Sequence, residues 1–166
     1  AGLFEGDTLG ELKDNAEVVV VEAETLADGK VWKVVDHYGG WYAGTPSGMK
    51  MLAGFEGITP AENKPVSTKV AVSLGGECKF WVRFLAGPYP GKFTVALRQH
   101  GTAVVEKEFA ENDPKHKGGY AWVWESMDAK LQPGEAEIVL TRPPGGASWV
   151  CRKIDVFVLT NRLDYQ

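Results

Sequence analysis

From Val66 onward the chain alternates apolar and polar residues in short runs. Phe80, Val82 and Phe84 face one way while Trp81 and Arg83 face the other, and Phe93, Val95 and Leu97 repeat the pattern. A period of two is that of a strand with one face on a core. Strands are expected at Thr68–Leu74, Lys79–Leu85, Lys92–Gln99, Ala103–Phe109, Tyr120–Trp124 and Glu135–Thr141. Turn residues separate them: Gly75-Gly76, Gly87-Pro88-Tyr89-Pro90-Gly91, His100-Gly101, Asp113-Pro114 and Pro133-Gly134. Upstream, β-branching marks a strand over Val18–Glu24, with Glu22 and Glu24 on one face; Gly29–Val35 and a short Met49–Leu52 follow. The final stretch, Ser148–Thr160, breaks the alternation. Val156, Phe157, Val158 and Leu159 are apolar on both faces, as in a strand covered on both sides, yet Asp155 sits in its middle. Residues 53–66 are irregular, with Pro60 and Pro65. Evenly spaced short strands with no amphipathic helix between them imply an all-β fold, an antiparallel β-sandwich (jelly roll) of two sheets.

Composition narrows the class. A chain of 166 residues favours one domain. Residues 1–16 read as a polar leader or linker, with room for one helical turn near Leu9–Leu12, and 17–166 as the domain. The sequence opens without Met and without a signal-peptide pattern, so it is expected to be a piece of something longer. Net charge is −4 with no basic block, which argues against a nucleic-acid or anionic-membrane partner. No apolar run reaches the length of a membrane span. Six Trp and five Tyr are many for this length, and a surplus of aromatics suits ligand platforms. Cys78 and Cys151 form neither a disulfide framework nor a metal cluster. On neighbouring antiparallel strands they would lie near opposite ends, so they are expected to stay unbridged.

Two constellations carry candidate chemistry. Glu22, Glu24 and Asp155 belong to the first and last strands, which commonly pair in a closed sandwich. Together they would supply the hard anionic part of a calcium shell. Against this, the glutamates could be solvated and Asp155 paired with Arg83 or Lys153. A general acid and base for glycoside cleavage would need a substrate-sized groove, which nothing in the pattern indicates. The second set is aromatic. Trp41, Tyr42, Tyr89 and Trp149 stand beside Gly or Pro in expected loops, where flat rings suit the C–H faces of sugars; equally, Trp41 and Trp149 could plug the sandwich ends. Tyr120, at a strand start, joins them. Trp122 and Trp124 share one strand face and are expected in the core. His37, His100 and His116 lack metal-like spacing.

Three stretches in this order carry a resemblance: Val21-Glu22-Ala23-Glu24, Phe80-Trp81-Val82-Arg83-Phe84 and Arg152-Lys153-Ile154-Asp155-Val156-Phe157-Val158-Leu159-Thr160. They resemble the opening, middle and closing strands of β-sandwich carbohydrate-binding modules of families 6 and 35, over residues 17–165. Ser47-Gly48 falls where those modules carry a small-residue pair. The resemblance implies a structural calcium held by Glu22, Glu24 and Asp155. It also implies a site for a polysaccharide or oligosaccharide in the end loops, offered here by Trp41, Tyr42, Tyr89, Tyr120 and Trp149. Arg152 would stand in for the polar contact before the last strand. Such a module is non-catalytic and secreted, linked in its full-length chain to a glycan-degrading catalytic domain. The alternative is a spacer sandwich that binds no sugar.

Overall fold

The computed structural model describes residues 17–36, 45–54, 63–73, 75–88, 90–116, 120–143 and 152–164. Among them are ten strands: β1 (Val18–Glu22), β2 (Trp32–Asp36), β3 (Lys50–Gly54), β4 (Val66–Val72), β5 (Gly76–Ala86), β6 (Lys92–Gln99), β7 (Thr102–Ala110), β8 (Ala121–Leu131), β9 (Gly134–Thr141) and β10 (Arg152–Thr160). All pairings are antiparallel. One sheet runs β2-β3-β10-β5-β8 with β1 also on β10, and the other runs β4-β9-β6-β7. This is the expected two-sheet sandwich.

Alternation places the core between the sheets. Phe80, Val82 and Phe84 of β5 and Phe93, Val95 and Leu97 of β6 are fully buried. The Phe84 ring meets Phe93 at 5.5 Å and Phe109 at 5.4 Å, and Phe80 stacks on Phe157 at 5.9 Å. Each buried aromatic stabilises by about 1.5–3 kcal/mol relative to exposure. Strand β10 is central in its sheet, which explains its apolar run on both faces.

Several expectations change. β1 stops at Glu22, and Ala23–Leu26 forms a 3-10 turn, so Glu24 is not a strand position. The valine run has ended there. Ala23 and Leu26, three residues apart, are both buried, and Thr25 Oγ1 donates to Glu22 O at 2.8 Å. Strand β8 runs to Leu131 rather than Trp124, because Met127, Ala129 and Leu131 alternate inward between polar residues. In that register Val123, not Trp122 or Trp124, packs against the core; both tryptophans turn to the outer face and are half-buried. Among the described residues Cys78 is a buried free thiol, and its strand β5 is an antiparallel neighbour of β10. Cys151 and the expected turn near Leu9–Leu12 lie outside the described residues.

The sandwich edge is closed by charge. Glu125 of β8 pairs opposite Val82 and so points inward, toward β7 of the other sheet. It takes Lys107 Nζ at 2.7 Å on one oxygen and His116 Nε2 at 2.6 Å on the other. His116 also lies edge-on to Phe84 at 5.8 Å.

Candidate functional site

Strand β10 changes partner halfway along one edge. Arg152, Lys153 and Ile154 pair with β3, and Val156 to Thr160 pair with β1. On its other edge, the ladder to β5 is irregular between Ile154 and Val156. Asp155 is the residue that none of the three ladders includes. A bulge of this kind re-aims a side chain. Here it delivers a fully buried carboxylate to the junction of β1, β3 and β5.

Donors meet that carboxylate on both oxygens. The Ser47 amide donates to Oδ1 at 2.7 Å, and Arg83 Nη1 donates to Oδ2 at 2.6 Å. Arg83 Nη1 also donates to Thr45 O at 3.0 Å. Ser47 is a hinge between two acids, because its hydroxyl donates to Glu22 Oε1 at 2.8 Å. Glu22 pairs opposite Val156, one residue past Asp155, and Glu24 follows on the 3-10 turn. The three expected acids are therefore brought to one junction, with Arg83 as the partner of Asp155.

The charge there is unbalanced. Glu22 Oε2 and Glu24 Oε2 are buried and make no hydrogen bond. Burial pushes the Glu24 carboxyl above its ordinary range, and the charges of Glu22 and Asp155 add to this. Burial also pushes Asp155 up, against the opposing bonds from Arg83 and Ser47. Orphaned carboxylate oxygens in a set of hard oxygen donors suit a divalent cation such as calcium. As placed, however, no three acidic, His or Cys side chains among the described residues are close enough to cage an ion.

Arg83 links this junction to the outer face of the sheet. Its guanidinium lies 5.7 Å from the Trp122 ring centre and 5.9 Å from that of Trp124. Trp124 in turn meets Trp81 edge-on at 6.4 Å. Diagonal positions across the β5–β8 ladder bring these rings together.

The aromatic set is divided. Tyr120 immediately precedes β8, and its half-buried ring lies against Gly87 at the end of β5. Trp41, Tyr42, Tyr89 and Trp149 lie outside the described residues. Arg152 is at the same end as Tyr120, but it is only 3% exposed and its Nε donates to Lys92 O. That is a bond within the scaffold, made by a residue read from the sequence as a ligand contact. The sequence marks Ser47 only as half of a small-residue pair and does not mark Glu111. Ser47 acts through its amide as well as its hydroxyl, and Glu111 meets Gly87 and Gly91 through its main chain, so neither left a side-chain pattern to read.

No protein-family profile matches the chain, and no curated protein matches it. Solved structures do. A family 6 carbohydrate-binding module of Cellvibrio mixtus lichenase 5A, in complex with cellotriose, matches with TM-score 0.57 at 12% identity, over 86% of this chain and 96% of that one. The C-terminal family 6 module of a laminarinase from Zobellia galactanivorans matches with TM-score 0.54 at 15% identity, over 87% and 100%. A Podospora anserina mannanase bearing a family 35 module matches with TM-score 0.55 at 18% identity, over 86% of this chain and 27% of that one. At these identities the likeness is one of fold: the sandwich is that of a family 6/35-type carbohydrate-binding module.

Proposed function

We propose that the protein is a non-catalytic carbohydrate-binding module, secreted and carried by a glycan-degrading enzyme, which it holds on polysaccharide. The observation that carries this reading is Tyr120. It stands at a loop end of the carbohydrate-binding-module sandwich, half-buried against a glycine, where a ring can offer one face to a sugar. Trp41, Tyr42, Tyr89 and Trp149 would supply the neighbouring rings, and Arg152 would hold the strand start beneath them. One or two sugar units would stack there while backbone groups take hydroxyls. Affinity of a single site would be modest, and the tether would raise the local concentration of enzyme on its substrate. Affinity electrophoresis on a panel of plant, algal and fungal polysaccharides tests this. Retention on at least one glycan, reduced in Tyr120→Ala, is expected. Retention on none would leave a spacer sandwich.

A structural calcium belongs to the same proposal. Glu22, Glu24 and Asp155 would hold it, and the orphaned oxygens of Glu22 and Glu24 support this. Bound there, it would neutralise the excess charge and tie β1 to β10. The residues themselves already do part of that work through Ser47, which bonds Glu22 and Asp155 together.

A further inference from the structure

The segment Gly87-Pro88-Tyr89-Pro90-Gly91 crosses from β5 in one sheet to β6 in the other. Both of its feet bond to one residue. The Gly87 amide donates to Glu111 O at 2.7 Å, and the Glu111 amide donates to Gly91 O at 2.9 Å. Glu111 follows β7 directly, so its main chain stands where the ends of the two sheets meet.

What packs against the feet explains why both are glycine. A Cβ on Gly91 would lie 2.7 Å from Glu111 Oε2 and 3.4 Å from Arg152 Cγ. A Cβ on Gly87 would lie 3.1 Å from the Tyr120 ring. The Glu111 side chain is therefore pressed onto one foot and the Tyr120 ring onto the other. Glu111 is only 3% exposed, and Arg152 fixes the adjacent residue by donating to Lys92 O. Pro88 and Pro90, next to the two feet, each hold φ near −65°.

We propose that Glu111 is a positioning residue: through its main chain it latches Gly87 and Gly91, and so presets Gly87 and the Tyr120 ring packed on it as one wall of the sugar site. This rests on the carbohydrate-binding reading. A wall ordered before the ligand arrives loses little conformational entropy on binding, which is how pre-organisation raises affinity.

The test uses the module with a glycan it retains, well below its melting temperature. Gly91→Ala, which drives a methyl into the Glu111 carboxylate, is expected to weaken glycan affinity about tenfold through lost pre-organisation. Lys69→Met, which breaks an exposed ion pair with Glu135 on the β4–β9 ladder, is the control and is expected to bind within about twofold of wild type. Hydrogen exchange at the Gly87 amide is expected to accelerate in Gly91→Ala and to stay slow in Lys69→Met. A purely structural residue would shift the melting midpoint and leave the affinity alone. Unchanged affinity in Gly91→Ala alongside faster Gly87 exchange would overturn the positioning role. Unchanged exchange in that variant would overturn the latch itself. If the wild type binds no glycan, the carbohydrate reading fails and the positioning role fails with it, while Gly87 exchange still reports whether the latch exists.

Discussion

Two partly buried acid clusters sit in this sandwich, and Glu125 of one is shifted in the opposite direction to Glu24 and Asp155 of the other. At the closed edge, burial pushes Glu125 up, but the hydrogen bonds from Lys107 and His116 together outweigh it and hold the carboxyl below the ordinary range. At the strand junction, burial wins: Glu24 and Asp155 are both pushed up. Depth does not explain the difference. The ratio of partners does. One acid at the edge has two nitrogen partners, whereas the three acids at the junction have Arg83, bonded to Asp155, and the charge of Lys50, which acts on Glu24. The edge acid is fully partnered, and the junction holds more acids than cations. A fold tolerates the second kind only where something else brings positive charge or where protons take its place.

The contrast can be broken most severely at its centre. Asp155→Ala strips Arg83 of its buried partner and is expected to cost about 3–5 kcal/mol, read by urea denaturation. Next comes the proposed metal. Calcium at a hundredfold its dissociation constant should stabilise by about 2.7 kcal/mol, and chelator should reverse this. A melting midpoint indifferent to both would sink the calcium proposal, and Glu24→Gln should blunt the response.

In chelator, pH separates the two clusters by sign. Glu24 has a raised folded pKa, so protonation favours the fold, and its contribution is lost as pH rises through that value. Glu125 has a lowered folded pKa, so its contribution is present above the ordinary carboxylate range and lost as pH falls through the folded value. Glu24→Gln and Glu125→Gln should therefore alter the slope of stability against pH in opposite senses. Equal slopes in the two variants would refute the distinction. The smallest effect is expected from Lys107→Met. Its side chain is 34% exposed, so solvent screens the pair and the loss should be about 0.2–1 kcal/mol by thermal melting.

The sandwich was legible because alternation is a local signal. Phe80, Val82, Phe84, Phe93, Val95 and Leu97 each fill the core position that their parity assigns. Parity also misled where it was extended too far. Glu22 and Glu24 share parity, yet they meet at the junction through a turn that buried Ala23 and Leu26 dictate. Trp122 and Trp124 share parity with each other and not with Val123, and bulk suggested the core while register set them outside. Asp155 was visible as an anomaly in an apolar strand, and Arg83 was among its foreseen partners. Its place outside all three ladders depends on residues as distant as Glu22, Leu52 and Phe84, which no local pattern connects. Glu111 is the extreme case. Its bonds to Gly87 and Gly91 run through main-chain atoms, which every residue possesses.

The position of β10 has a consequence for how the chain assembles. The earliest described strand, β1, pairs with the latest, Val18 opposite Thr160. β3 also waits for β10, as does the free side of β5. During synthesis the β2-β3 and β5-β8 pairs can form, but within this sheet nothing joins them until β10 emerges and is threaded between them. The nascent domain thus carries open strand edges until β10 is made, a state prone to wrong pairing. Closure of the larger sheet should be slow, late and all at once, with deletion of Arg152–Thr160 leaving that sheet in three unpaired pieces, β1, β2-β3 and β5-β8, rather than a shortened fold.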